Sequence, residues 1–312
     1  MGWIAVILND SSGSGDGEAA AKKVAEIFSA AGREARITVA SGGEALQAAA
    51  KRAVEEGCDT LVAGGGDGTV NTVARVAVER QLPLGVLALG TLNHFAKDLG
   101  IPLEVDEAAK VIIEGLVCKV DVGEVNGRIF LNNSSLGVYP AIVRLRERYQ
   151  ATGWGKWVAA LWASLTVLRR NPFMGVRIIV DGQTIVRRTS FVFVGNNEYR
   201  MAGVNPGARD SLATGRLALY VMSAERRLGL LRLAWQVLRQ GADEANELDL
   251  LAVEDATVET KRRRLQVALD GEVVLLESPL DYRIRQAALR VHVPPPASAC
   301  YPHDIGTSST RV

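Results

Sequence analysis

Apolar and polar positions in the first 120 residues switch between two periods. Short apolar runs at Ile4 to Leu8, Ala35 to Val39, Leu61 to Ala63 and Leu84 to Leu89 each end in a polar or glycine-rich turn. Between them, Ala21, Val24, Ala25 and Phe28 recur at helical spacing within Glu18 to Ala31. A second helical pattern opens at Ser41-Gly42-Gly43 and runs through Ala53, and a third carries Val70, Val73, Ala74 and Ala77. Strands separated by helices of this length predict an α/β domain over residues 1–120, built on a doubly wound parallel sheet.

Beyond residue 120 the pattern becomes a succession of short strands. Asp121 to Asn132 reads as a hairpin about Asn126-Gly127, and Arg177 to Val180 and Thr184 to Arg188 flank Asp181-Gly182. Further strands are expected at Phe191 to Val194, Leu217 to Val221, Ala256 to Glu259, Gln266 to Leu269, Val273 to Leu276 and Leu289 to Val293. These predict an all-β, sandwich-like domain over 121–293, with helical insertions near 154–170 and 227–240. Pro294-Pro295-Pro296 closes the pattern, and the Ser/Thr-rich stretch over 294–312 is expected to be a poorly ordered tail.

Composition narrows the class. Net charge is +1 over 312 residues, but residues 1–120 hold 11 Lys and Arg against 16 Asp and Glu, a net −5, which leaves +6 for the rest. The second half carries scattered arginine pairs and the run Lys261 to Arg264. No single basic stripe interleaved with aromatics appears, which argues against a nucleic-acid partner. No apolar run approaches the roughly 18 residues a membrane-spanning helix needs, and Met1-Gly2-Trp3-Ile4 has no basic leader pattern. Cys58, Cys118 and Cys300 stand far apart without metal-ligand spacing, a usage that suits a reducing cytoplasm.

The candidate chemistry sits at strand ends. Leu61-Val62-Ala63 stops at Gly64, Gly65 and Gly66, followed by Asp67-Gly68-Thr69 and then the helical pattern. Glycines admit a ligand close to backbone N–H groups, and a helix N-terminus favours an anion, so phosphate is the expected occupant. The lysine of a Walker-type loop is absent. Other strand ends carry the same small polar residues: Asn9 with Ser12 and Gly13, Ser41, and Gly90-Thr91 with Asn93. Ligands of doubly wound sheets bind at such carboxyl ends, so these residues form the candidate nucleotide site.

Together these residues resemble the diacylglycerol kinase catalytic-domain family, which includes bacterial soluble lipid kinases and sphingosine kinases. Asn9 with Ser12-Gly13-Ser14-Gly15 is similar to its first phosphate-side loop, Gly65 to Thr69 to its nucleotide signature, Pro83 to Ala96 to its second glycine–threonine turn, and Leu269-Asp270-Gly271-Glu272 to its late acidic turn. Asp121, Asn132 to Gly137 and Gly195 to Asn197 fit lesser blocks. The resemblance implies an ATP site, Mg²⁺-dependent transfer of the γ-phosphoryl group to a lipid hydroxyl such as that of diacylglycerol, and a lipid entering between the two domains. It implies Asp67 and Asp121 as Mg²⁺ ligands and Asp270, Glu272 and Asp67 as catalytic. Two positions depart from the family pattern. His94 stands where an Asp is usual, and Leu212-Ala213-Thr214-Gly215 lacks the paired Asp that follows Pro-x-Ala.

The residues support these roles unequally when taken alone. Asp67 could orient nucleotide or metal-bound water, or could cap the following helix. Asp270 and Glu272 flank Gly271 and could present two carboxylates to one cleft, one as the general base, or could be the tip of a hairpin. Trp154, Trp157, Leu161, Trp162, Leu165 and Leu168 share a broad helical face beside Lys156, Arg169 and Arg170. That face suits peripheral contact with the inner surface of a membrane or packing on the sandwich. Two alternatives stay open: an NAD kinase-like enzyme, which shares the Gly-Gly-Asp-Gly-Thr turn, and a non-catalytic nucleotide-binding relative.

Overall fold

The computed structural model describes residues 2–10, 17–137, 140, 173–200, 208–222, 248–296 and 300. The expectations for Ser12 and Gly13, for the helices near 154–170 and 227–240, and for the last twelve residues lie outside them. The chain forms two compact units, Met1–Val122 with Ala208–Gly215 and Arg285–Val312, and Gly123–Gly207 with Arg216–Ile284. Neither is continuous in sequence.

In the first unit, β1 (Ile4–Asn9), β2 (Ala35–Ala40), β3 (Thr60–Gly65) and β4 (Pro83–Ala88) pair in parallel in the order β2-β1-β3-β4. The central strands β1 and β3 are buried almost throughout, whereas the edge strand β2 is partly exposed. Strands covered on both faces must be continuously apolar, which is why these two read as uninterrupted runs. The intervening helices are α1 (Gly17–Ala30), α2 (Gly43–Glu55) and α3 (Asp67–Arg80), followed by the short α4 (His94–Asp98) and by α5 (Val105–Glu114). The helix α1 packs with α5, and α2 with α3. Right-handed crossovers in this strand order send α1 to one face and α2 and α3 to the other.

The chain then runs through β5 (Leu116–Val125) into the second unit. There β6 (Arg128–Phe130), β7 (Asn133–Gly137), β8 (Met174–Val180), β9 (Gln183–Thr189), β10 (Phe191–Asn196), β11 (Leu217–Met222), β12 (Leu248–Val253), β13 (Asp255–Thr260), β14 (Arg264–Leu269) and β15 (Glu272–Glu277) form an antiparallel sandwich with the start of β16 (Leu280–Val293). One sheet has the order β12-β11-β10-β7-β14-β15, and the other contains β16-β13-β8-β9. Their inner faces share a core that includes Phe130, Leu136, Ile178, Val194, Leu219, Val267 and Tyr282. Asn126-Gly127, Asp181-Gly182 and Asp270-Gly271 all hold positive φ at both positions (46° and 78°, 50° and 75°, 48° and 89°). That is the type I′ requirement for two-residue hairpins, and it is why Asn or Asp precedes Gly at each.

Two findings depart from the sequence pattern. The last strand starts at Leu280, not Leu289, and its second half returns to the first unit, where Arg290 pairs with Pro83 and Val291 with Leu84 in parallel. Cys118 and Cys300 form a disulfide with a Cα–Cα separation of 6.0 Å, so the expectation of separate cysteines does not hold. The cause is tertiary: β5 pairs with β16, which brings two segments 182 residues apart in sequence to the same place. Cys58 is free and buried, and burial and neighbouring Asp59 push its thiol up to about 11.

Candidate functional site

The first unit gathers its small polar residues at the carboxyl ends of β1, β3 and β4. Because α1 leaves β1 toward one face and α3 leaves β3 toward the other, the adjacent ends of these strands mark a topological switch point, the place where such sheets bind ligands. Asn9 closes β1, and its Nδ2 donates to Thr69 Oγ1 at 3.0 Å across 60 residues of sequence. Thr69 is buried in the first turn of α3.

The glycines of this turn serve packing first. A Cβ at Gly64 would overlap the Leu8 side chain, and one at Gly65 would overlap Thr69. Gly66 differs. It is the N-cap of α3, has extended backbone (φ −84°, ψ −177°), and offers the helix no side-chain cap. Among the described residues a Cβ there would meet only Gly90 Cα, at 3.4 Å. The first N–H groups of α3 are the kind a helix leaves unsatisfied, and the space beside Gly66 is open among the described residues. That cradle fits a phosphate. Gly68 lies within the same first turn.

The turn after β4 is built tightly. Asn93 has positive φ (52°). Its Oδ1 accepts from Gly90 N at 3.0 Å, and its Nδ2 donates to Gly90 O at 2.8 Å and to Ala88 O at 3.4 Å. The amide of Asn93 therefore shapes the turn. Thr91 and His94 are exposed on it. Ser41 is also exposed, between β2 and α2.

The carboxylates fall into distinct settings. Asp67 Oδ1 accepts the Phe95 N–H at 3.2 Å, while its Oδ2 takes no hydrogen bond among the described residues. Asp121 is 2% exposed, and its oxygens accept from Gly215 N at 2.7 Å and Ala287 N at 2.8 Å. It clamps three segments of the first unit together. No group of three or more His, Cys, Asp and Glu positioned to hold a metal occurs among the described residues. The donor set thus fits a Mg²⁺ ion bound mainly by phosphate and water and steadied by Asp67, and it fits an all-protein cage poorly. Asp121, expected as a ligand, has its carboxylate occupied by backbone donors.

Sequence reasoning missed a neighbouring ion pair. Arg209 Nη2 and Nε reach Asp98 Oδ2 at 2.7 and 2.8 Å, with side chains 0% and 7% exposed. The pair ties the 208–215 segment to the end of α4. Nothing local marks either residue, since 111 positions separate them.

The second unit gathers a different set at one rim of its larger sheet. Asp270 Oδ1 accepts the N–H groups of Asn132 and Asn133 at 2.8 and 2.9 Å, and Oδ2 accepts that of Leu131 at 2.7 Å. Asn196 Nδ2 donates to Leu131 O at 2.9 Å, and Asn197 Nδ2 to Asn196 Oδ1 at 3.1 Å. The late acidic turn, the Asn132–Asn133 segment and the Asn196–Asn197 pair therefore form one polar rim. Glu272 is exposed across the Asp270-Gly271 turn, and its side chain makes no hydrogen bond or ion pair among the described residues. The turn is a hairpin tip, and its aspartate is also held by three backbone donors.

Comparison with known proteins agrees with this division. Residues 4–125 match the Diacylglycerol kinase catalytic domain, and residues 141–293 match the YegS C-terminal NAD kinase beta sandwich-like domain. A diacylglycerol kinase of Staphylococcus aureus (strain JH9) is 44% identical over 90 residues, 28% of this chain and 29% of that relative's length. The chain thus matches less than a third of that relative. A crystal structure described as a diacylglycerol kinase from Bacillus anthracis str. Sterne superposes with a TM-score of 0.70 at 21% identity, covering 95% of this chain and 98% of that one. A second crystal structure from the same organism gives 0.74 at 24%, with the same coverage. At those identities the likeness establishes the fold, an α/β unit followed by an antiparallel sandwich. Residues 4–125 thus carry a diacylglycerol kinase catalytic domain, and residues 141–293 carry a YegS-type C-terminal sandwich domain.

Proposed function

We propose that this protein is an ATP- and Mg²⁺-dependent kinase that transfers the γ-phosphoryl group to a lipid hydroxyl. The observation that carries the nucleotide half is the uncapped N-terminus of α3 at Gly66, open beside the switch point and flanked by Asn9, Thr69 and Asp67. The match of residues 4–125 to a diacylglycerol kinase catalytic domain and the name of the S. aureus relative support the lipid acceptor. Phosphoryl transfer asks mainly for positioning and charge neutralisation, which backbone N–H groups and a metal can supply. Mg²⁺, when bound, would neutralise phosphate charge, with the uncommitted Oδ2 of Asp67 as its protein-side anchor through water.

Asp270 is the proposed general base and Glu272 its support. The three N–H donors fix the Asp270 carboxylate in one orientation, which is the preorganisation that a base acting on a lipid hydroxyl needs. No described helix is long and apolar enough to cross a membrane, so the lipid would be reached at the bilayer surface.

The sandwich's likeness to NAD kinase supports one second reading, a nucleotide acceptor. Purified protein with γ-labelled ATP, offered a total lipid extract in one arm and NAD in the other, separates them. Labelled lipid is expected. Label on NAD would replace the lipid reading. Thermal stabilisation by ATP with no labelled product in either arm would leave a binding protein without turnover.

A further inference from the structure

The turn between β13 and β14 crosses from one sheet of the sandwich to the other, and a cavity of about 370 Å³ opens beside it. Its apolar walls include Leu136, Phe173, Met174, Leu265 and Leu275. Its basic rim is Lys261, Arg262 and Arg264, and no acidic residue lines it among the described residues. Lys261 and Arg262 are exposed, and their side chains make no ion pair or hydrogen bond among the described residues. Arg264 Nε touches Glu277 loosely, at 3.5 Å. A fourth cation stands close by, since the Arg188 guanidinium lies 5.7 Å from the centroid of the Phe173 ring.

Two features restrict what this cavity can take. Uncompensated cations at the rim call for an anion. Apolar walls, with Leu275 left 58% exposed, call for hydrocarbon next to that anion. A free phosphate would satisfy only the first. The position also separates the cavity from the polar rim. Asp270 follows the last residue of β14 while Arg264 begins that strand, and five strand steps of ~3.4 Å put about 17 Å between the two ends.

We propose that this cavity is a docking site for an anionic phospholipid of the bilayer. Its phosphate would lie on Lys261, Arg262 and Arg264, and the start of an acyl chain against Leu265, Leu275 and Met174. The site recruits the sandwich to a negatively charged membrane surface and is separate from the transfer of phosphate at Asp270.

The test needs no ATP, so it is independent of whether the protein phosphorylates a lipid. Full-length protein is floated with vesicles of phosphatidylcholine alone and of phosphatidylcholine mixed with phosphatidylglycerol. Binding is expected on the mixed vesicles and should weaken with salt. Lys261→Ala/Arg262→Ala, which breaks no side-chain hydrogen bond or ion pair among the described residues, should lower it roughly 30-fold, at about fivefold per cation near an anionic surface. The charge-matched control Lys51→Ala/Lys119→Ala, on exposed positions of the other unit, should change it little. Leu275→Ser should weaken binding with the salt dependence kept. Equal binding to neutral vesicles, or equal losses in both double variants, would overturn the proposal. Full displacement by millimolar inorganic phosphate would reassign the cavity to a soluble anion.

Discussion

Asp67 Oδ1 accepts the backbone N–H of Phe95 at 3.2 Å, which joins the glycine turn after β3 to the short helix after β4. The same two turns touch at Gly66 and Gly90. A Cβ on Gly90 would collide with Gly66 Cα and lie 2.7 Å from Asn93 Oδ1. The candidate phosphate cradle is therefore one side of a welded pair of loops, and its glycines have different jobs.

That difference is measurable. Gly66→Ala has room for its methyl group, 3.4 Å from Gly90 Cα, so thermal unfolding should shift little. ATP affinity should fall by at least tenfold, on the order of 1.4 kcal/mol, because the methyl enters the proposed phosphate space. Gly90→Ala must push backbone against backbone and should destabilise the fold by roughly 1–3 kcal/mol, as overpacking does. Unchanged ATP titration in folded Gly66→Ala would move the nucleotide elsewhere.

The two carboxylates of the late acidic turn should separate stability from chemistry. Asp270→Asn turns an amide toward backbone donors that now meet oxygen, so unfolding free energy should drop by about 1–3 kcal/mol. Turnover should fall roughly 10²-fold or more if Asp270 is the base. Glu272→Gln removes no side-chain hydrogen bond or ion pair among the described residues, so urea melts should be unchanged and activity should fall less. Near-normal turnover in Asp270→Asn with loss in Glu272→Gln would exchange their roles.

His292 sets a pH dependence of folding. Both of its ring nitrogens are buried without a hydrogen-bond partner among the described residues. Burial lowers its proton affinity most, Arg33 and Arg290 lower it further, and Asp59 opposes them. The folded value thus lies below the ordinary 6.5. Below that pH the unfolded chain takes up the proton first, so stability present above 6.5 is lost as pH falls toward the folded value. Denaturant midpoints collected from pH 7.5 down to about pH 5 should decline, and His292→Leu should flatten that slope. An identical slope in the variant would assign the acid sensitivity to other groups.

The features legible from sequence share one property, that each is decided over a few residues. Alternation of buried runs and helical faces located β1, α1 and β3 to within a residue or two, because side-chain period follows backbone geometry directly. Asn126-Gly127 and Asp181-Gly182 were readable as turns, because few residues tolerate the left-handed backbone that such hairpins require. The glycine turn at 64–68 was readable as a candidate phosphate site for the same local reason.

What the tertiary structure decided depends on which strands become neighbours. The C-terminal half of β16 lies beside β4, which no local pattern in either strand specifies. The Asp98–Arg209 pair, the Cys118–Cys300 disulfide and the three donors on Asp270 join residues 111, 182 and 137 to 139 positions apart. Each forms only after sheet order and register have set the ends of distant segments side by side. Residue type announced that Asp270, Asp121 and Asn93 were suited to polar work. Only the fold determined that backbone N–H groups occupy the first two, that Asn93 shapes its own turn, and that Asp67 keeps one oxygen uncommitted among the described residues beside an uncapped helix.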